Sequence, residues 1–260
     1  MLECPKCKHT LVKREHRYQC DQNHSFDIAK RGYVNLLLGN HKTTGDDKEM
    51  VKARTTFLNH GYYHMLQQRL IKLLTKHSIQ VLVDAGCGQG YYTNAIHEAC
   101  HCETFGFDLS KYAVDEASKA HNGAFYGVCN IFHMPLSDEC ADALVSVFAP
   151  IDIRENARVL KQKGIFLKVA PGPKHLIDMK KVLYQDVYEN EIETGYDGFE
   201  LITEELLEDE ILLQDQADIK ALFQMTPYYW RTPKESVDKL FRMERLQTMI
   251  QFHITCYRKL

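Results

Sequence analysis

The strongest constraint in the sequence lies at residues 81–96, where Val-Leu-Val-Asp-Ala-Gly-Cys-Gly-Gln-Gly runs into Tyr-Tyr-Thr-Asn-Ala-Ile. A short apolar run ending in Asp84, then Gly86, Gly88 and Gly90, then a helix-compatible segment, describes a buried strand that turns sharply over a nucleotide-sized ligand. Glycine is needed at such a turn because the backbone bends tightly and approaches the ligand where a Cβ would collide.

The glycine spacing separates cofactors. Dinucleotide sites use G-x-G-x-x-G, whereas this chain has G-x-G-x-G, the pattern of methyltransferases that bind S-adenosylmethionine (SAM). The following segments agree with a nucleoside site. Residues 104–108 read as a second strand ending in Asp108, eighteen residues after Gly90, where a carboxylate can accept hydrogen bonds from both ribose hydroxyls. Ser110 is placed to cap a helix over 111–121. A third strand over 124–129 brings Asn130 to the point where SAM enzymes commonly hold the adenine amino group, and its amide can both accept and donate. Strands four (142–148) and five (165–170) complete a Rossmann-like, doubly wound α/β core of class I methyltransferase type.

At the other end, Cys4 and Cys7 are followed after twelve residues by Cys20 and then His24. Two such pairs on a short hairpin supply four tetrahedral vertices, and three thiolates with one imidazole would saturate zinc with no position left for water. The site is therefore expected to be structural, in a zinc ribbon whose hairpin carries Leu11, Val12 and Tyr18. His9 and His16 are read as surface imidazoles. The first sixty residues hold eleven Lys/Arg against seven Asp/Glu, so this +4 region leaves −7 for the rest of a chain whose net charge is −3. If the chain binds a polyanion, the ribbon is the expected contact, with Lys30 and Arg31 either meeting phosphates or standing solvated beside Asp27.

The expected organisation is a ribbon over 1–37, a linker with helices covering the cofactor site over 38–77, and a SAM-binding domain over 78–260. Residues 39–47 read as a mobile linker. Met50, Ala53, Phe57 and Leu58 then share one helical face, and Leu66, Leu70, Leu73 and Leu74 another. The break between them presents Tyr62 and Tyr63, either of which can touch ligand or simply pack. No apolar run approaches a bilayer span, so a cytoplasmic protein is expected. Nine cysteines then read as metal ligands and buried thiols rather than disulfides. Strand four ends in Phe148-Ala149-Pro150, without the Asn/Asp-Pro-Pro-Tyr/Phe tetrad of many amino-group methyltransferases, which argues against adenine-N6 chemistry. The loop after strand five puts His175 on the ligand face of the sheet, as a contact or as a surface residue. Residues 186–215 contain twelve acids, a surface that repels phosphate. Tyr228, Tyr229 and Trp230 can stack on bases or anchor the final helix and strand, the commoner use. Residues 249–257 alternate like a last antiparallel strand.

Taken together, Cys4-x2-Cys7-x12-Cys20-x3-His24-x-Phe26-Asp27, Gly32-Tyr-Val-Asn-Leu-Leu37, Asp84-x-Gly-Cys-Gly-x-Gly-Tyr-Tyr-Thr93, Asp108-x-Ser110-Lys111, Pro171-Gly-Pro-Lys-His-Leu176 and Met225-Thr-Pro closely resemble the RlmA-type 23S rRNA guanine-N1 methyltransferases. The resemblance spans nearly the whole chain. It implies methylation of guanine N1 in a ribosomal RNA hairpin, with the ribbon assisting RNA recognition, and SAM contacts at Tyr63, Gly88, Gln89 and His175. Gln89 replaces a Glu of some relatives, losing a charge but keeping a hydrogen-bonding side chain. Family members divide between two neighbouring guanines, and the sequence leaves that choice open. A hairpin that reaches two ribbons is compatible with a homodimer.

Guanine N1 carries a proton at neutral pH, so a base must take it before or during transfer. Asp152, His133 and His175 are candidates, with Asp152 preferred because it follows the strand-four loop. Two other classes are compatible with parts of the chain: a SAM-dependent small-molecule or protein methyltransferase, and a non-catalytic zinc-dependent RNA-binding protein. The first has no need of the ribbon, and the second has no need of an intact glycine turn with both aspartates.

Overall fold

The computed structural model describes residues 1–39 and 45–260. Most of the expected linker, residues 40–44, lies outside the described residues. The ribbon contains β1 (Val12–Lys13), β2 (Arg17–Gln19) and β3 (Ser25–Asp27), an antiparallel sheet in the order β1-β2-β3. It is docked rather than free. Glu3 N–H donates to Pro135 O at 2.8 Å, the Tyr18 and Phe125 rings meet edge-on at 5.6 Å, and Leu2, Leu11 and Phe26 share a buried cluster with Phe105, Met134 and Leu136. β4 (Val34–Asn35) leaves the ribbon to pair, parallel, with the main sheet.

That main sheet is built from β5 (Val81–Ala85), β6 (Glu103–Asp108), β7 (Phe125–Val128), β8 (Ala141–Val147), β9 (Leu160–Pro171), β10 (Phe199–Leu213) and β11 (Leu246–Lys259), together with β4. Its order is β10-β11-β9-β8-β5-β6-β7-β4. Strands β4 to β9 run parallel with their neighbours, and β11 pairs antiparallel with both β9 and β10. The chain order therefore reverses at β5, between β6 on one side and β8 on the other, and that switch point is where an open α/β sheet leaves a crevice for ligand. β5 is buried along its whole length, Asp84 included, as its otherwise apolar run leads one to expect.

The helices are α1 (Lys48–Asn59), α2 (His64–Leu74), α3 (Tyr91–Cys100), α4 (Lys111–Ala117), α5 (Ile153–Val159), α6 (Ile177–Leu183), α7 (Gln216–Gln224) and α8 (Lys234–Phe241). Asp47 caps α1 through Met50 N–H, and Ser110 caps α4 through Ala113 N–H, as its position implied. α4 stops at Ala117 and continues as a short 3-10 turn over Ser118–Ala120, shorter than the expected helix. Among the described residues no helix is long and apolar enough to cross a membrane.

One expectation is corrected, and the acid-rich stretch gains a secondary structure that the sequence reading had not assigned. The acid-rich stretch contains the 15-residue strand β10 at the sheet edge. Glutamates have weak strand propensity, but on an edge they discourage a second chain from pairing there. Here they are also engaged: Arg69 grips Glu205 with two bonds of 2.6 and 2.5 Å, and buried His253 meets Glu204 at 2.7 Å. Trp230 is not a buried anchor. It is 65 % exposed, while Tyr228 and Tyr229 beside it pack against the core.

Candidate active site and metal centre

In the ribbon, the ligand atoms of Cys4, Cys7, Cys20 and His24 all lie within 4.8 Å of one another. A tetrahedron with Zn–S bonds of ~2.3 Å and Zn–N bonds of ~2.0–2.1 Å has S···S edges of ~3.8 Å and S···N edges of ~3.5 Å. The observed separations are 3.7 Å for Cys7 Sγ to Cys20 Sγ, and 3.5 and 3.6 Å from His24 Nδ1 to Cys4 Sγ and Cys20 Sγ. The donor chemistry fits zinc, and so do these three edges. His9 is outside the cluster and pairs with Asp21 at 2.5 Å. His16 lies beside Glu15 on the surface.

The glycine turn follows β5. Gly86, Gly88 and Gly90 have φ of 93°, 53° and 82°, the left-handed region that side chains disfavour. Space is as restrictive as φ at Gly86, where a Cβ would stand 2.3 Å from Ala149 Cβ. The turn is therefore wedged against the loop that ends β8. Asp108, at the end of β6, accepts from Gly88 N–H through Oδ2 at 3.0 Å and from Ser110 N–H through Oδ1 at 2.7 Å. Those bonds fix the carboxylate and leave a lone pair on each oxygen for a diol. Burial pushes its pKa up, opposed by the same two backbone donors.

Asp84 is buried at the start of the turn. Oδ2 accepts from Thr93 Oγ1 at 2.5 Å, but Oδ1 has no partner among the described residues. Desolvation raises this carboxyl to about 7, with Thr93 opposing and the Asp108 charge adding to the rise. Gln89 Nε2 and Tyr92 Oη are likewise buried without partners. Unsatisfied buried polar atoms are costly, so three of them on the strand end, glycine turn and following helix start point to a ligand that completes the bonding there. An acceptor with two donors suits the ammonium and carboxylate of an amino-acid moiety, and the acidic charge suits a sulfonium. The cleft fits SAM. Cation binding would draw Asp84 into its ionised form, so SAM affinity is expected to fall as pH drops through about 7, by up to about tenfold per pH unit. Titrating SAM from about pH 8 to about pH 5.5 by calorimetry checks this; a D84N variant with the same acid-side slope as the parent protein would remove Asp84 from the explanation.

Tyr63 and His175 come together from segments more than a hundred residues apart. Tyr63 Oη lies 3.3 Å from His175 Nε2, and His175 Nδ1 accepts from Gln251 N–H at 3.1 Å. With Nδ1 accepting, the neutral ring carries its hydrogen on Nε2 and donates it to Tyr63, leaving the tyrosyl hydrogen free to point at ligand. Burial lowers the His175 pKa to about 4. A neutral ring with both nitrogens committed positions Tyr63 and is a poor proton acceptor. Tyr62 instead donates to Asp218 at 2.7 Å.

The other predicted positions are more open. Asn130, exposed after β7, accepts from Phe132 N–H at 3.0 Å through Oδ1, which leaves Nδ2 and one lone pair. His133 is exposed next to it. Asp152 caps α5, with Oδ1 accepting from Arg154 and Glu155 N–H at 3.0 and 3.2 Å, so Oδ2 is the oxygen available for other work. Arg31 pairs with Asp115 at 3.1 Å, whereas Lys30 is exposed.

Arg54 had no place in the sequence reading and belongs at this site. Its guanidinium pairs with Asp46, donates to Met225 O at 3.4 Å, and reaches to 3.8 Å from the place a Gly88 Cβ would occupy. The available signal was its spacing, four residues after Met50 and three before Phe57, which puts a cation on an otherwise apolar helical stripe. Asp46 O also accepts from Ser110 Oγ at 2.5 Å, so the segment leading into α1 is tied down beside Asp108.

Comparison with known proteins agrees with both halves. Residues 2–44 match the family model described as "RlmA, N-terminal", a zinc ribbon, and residues 83–167 match one described as "Methyltransferase domain". The 23S rRNA (guanine(748)-N(1))-methyltransferase of Streptomyces fradiae is 34 % identical over 188 residues, covering 70 % of this chain and 67 % of that protein. A Micromonospora griseorubida protein, provisionally named a 23S rRNA (guanine-N(1)-)-methyltransferase, is 34 % identical over 200 residues, with 68 % of each chain covered. A Bacillus subtilis (strain 168) relative, YxjB, carries the same provisional name and is 27 % identical over 275 residues, covering 98 % of this chain and 95 % of its own. With a zinc ribbon and a SAM-dependent core in one chain, and relatives at this identity and coverage, the protein belongs to the 23S rRNA (guanine-N1)-methyltransferase family.

Proposed function

We propose that this protein transfers a methyl group from SAM to N1 of a guanine in a 23S rRNA hairpin. The observation that carries the reading is the pairing, in one chain, of a complete four-ligand zinc cluster with a glycine turn whose buried polar atoms await a ligand. The ribbon supports RNA as the partner. A surface groove on it is lined by Lys8, Arg14, Gln19 and Asn23, with Asp21 hydrogen-bonded to His9. Such a rim suits phosphate and sugar contacts. The acid-rich β10 lies at the opposite end of the sheet from β4, the strand that leaves the ribbon, so like-charge repulsion favours approach from the ribbon side.

SAM supplies a methyl group on a sulfonium, whose sulfur leaves with the bonding pair as a thioether. The protein's part is alignment and proton removal. Asp84, Gln89, Tyr92 and Arg54 would grip the amino-acid end, Asp108 the ribose and Asn130 the adenine. Tyr63, steadied by His175, would border the methyl donor. Asp152 Oδ2 would take the N1 proton as the N1 lone pair forms the new bond to carbon. The target base must leave its stack to be reached, which an unpaired hairpin loop makes easy. A second copy of the chain can share a hairpin with this one, one ribbon on each flank.

Asparagine caps a helix about as well as aspartate, so D152N separates the two roles of this residue. Its melting temperature is expected to stay unchanged while kcat falls about 100-fold or more, the size of a general-base contribution; unchanged kcat would exclude Asp152 as the base. The reading as a whole is tested with methyl-labelled SAM offered to unmodified 23S rRNA transcript, cell protein and a metabolite extract. Label in the transcript is expected, and label only in protein or small molecules would overturn the RNA assignment.

A further inference from the structure

Phe148 is the first residue beyond β8, at the carboxyl edge where the acceptor must approach the glycine turn. The next residue, Ala149, is the one a Gly86 Cβ would strike, so Phe148 is anchored directly beside the cofactor cleft. Its own N–H is fixed by Val169 O at 3.0 Å. Its backbone has φ 55°, and among the exposed aromatic side chains Tyr112, Phe132, Phe148, Tyr188 and Trp230 it alone lies in the left-handed region. A bulky residue is held there only when its surroundings impose it, and such strain gathers at functional sites.

The ring itself is 43 % exposed although apolar neighbours are at hand. Tyr63, His175 and Phe252 back it, with centroids at 6.5, 5.7 and 6.0 Å. An aromatic ring supported by three others and still open to solvent is a preformed platform whose missing partner is another flat π-system. Aromatic rings stack on unpaired bases in single-stranded RNA recognition.

We propose that Phe148 is the stacking platform for the target guanine, holding the extruded base so that its N1 edge faces the methyl donor. This rests on the RNA reading above, in which the acceptor is a purine. The polar tetrad that other enzymes use to hold an amino nitrogen is absent at this strand end, and a ring that recognises the face of a base leaves N1 unencumbered.

The test uses full-length protein and unmodified 23S rRNA transcript. F148L keeps an apolar side chain of similar bulk, and Leu176 shows that this chain accommodates leucine at φ 55°. Loss of one stacked base predicts a fall in kcat/KM for RNA of about 10- to 100-fold, with SAM affinity and melting temperature unchanged. F148Y and F148W, which restore a π-face, are expected within about threefold of the parent protein. F148L at parental kcat/KM would overturn the proposal, as would SAM affinity falling in step with activity or equal losses in F148L and F148Y. If the parent protein itself leaves the transcript unlabelled, the RNA reading fails instead, and the two failures are distinct.

Discussion

Replacing Gly86 by alanine is expected to lower SAM affinity at least about 100-fold and to destabilise the protein by about 3 kcal/mol. Two independent penalties combine. A side chain at φ 93° costs about 1–2 kcal/mol in the left-handed region, and a Cβ at 2.3 Å from Ala149 Cβ adds an overpacking cost of about 1–3 kcal/mol. The backbone relieves this by moving the turn away from β8, which displaces the cradle from Asp84 and Asp108. The double variant G86A/A149G removes the steric part but not the backbone part, so it is expected to recover stability only partly. Denaturant titration and SAM calorimetry read both quantities. A G86A protein with parental SAM affinity would show that the turn does not seat the cofactor.

Removing the metal ligands Cys4 and Cys7, as C4S/C7S, is expected to release one equivalent of zinc and weaken RNA binding by about tenfold or more, while SAM affinity stays within about threefold. The ribbon's strands are two or three residues long, too short to hold without the metal, because a unit of this size buries little apolar area. Structural zinc contributes on the order of 10 kcal/mol in small modules of this kind. The cofactor turn depends on β5, β6 and β8, none of which receives a hydrogen bond from β1 to β3. Equal loss of SAM and RNA binding would mean that the cluster shared by Leu2, Phe26, Phe105 and Met134 makes the ribbon part of the core that holds the cofactor turn.

What was readable from the sequence is local. Cys4 and Cys7, then Cys20 and His24, are pairs whose spacing alone brings each close, and the glycine turn is written in backbone conformations that other residues disfavour. Asp108 follows because its strand is next to β5 and ends level with it. The unreadable parts depend on distant neighbours. Arg54 meets Met225 across 171 residues and Tyr63 meets His175 across 112. β4 is two residues long and has no periodicity to detect. β10 carries a composition that suits a helix, and only pairing along β11 makes it a strand. Phe148 looked like the wrong ending to a known tetrad; its backbone angle and exposure give it meaning, and neither is encoded locally.

N1 lies on the Watson–Crick edge of guanine, so a methyl group there blocks pairing and stops a copying polymerase. Primer extension across unmodified 23S rRNA transcript, incubated with this protein and SAM, therefore tests the central claim most directly. A new stop one nucleotide before a single hairpin guanine is predicted, dependent on SAM and weakened in C4S/C7S. Methyl incorporation without any new stop would place the group on another atom and contradict guanine-N1 transfer.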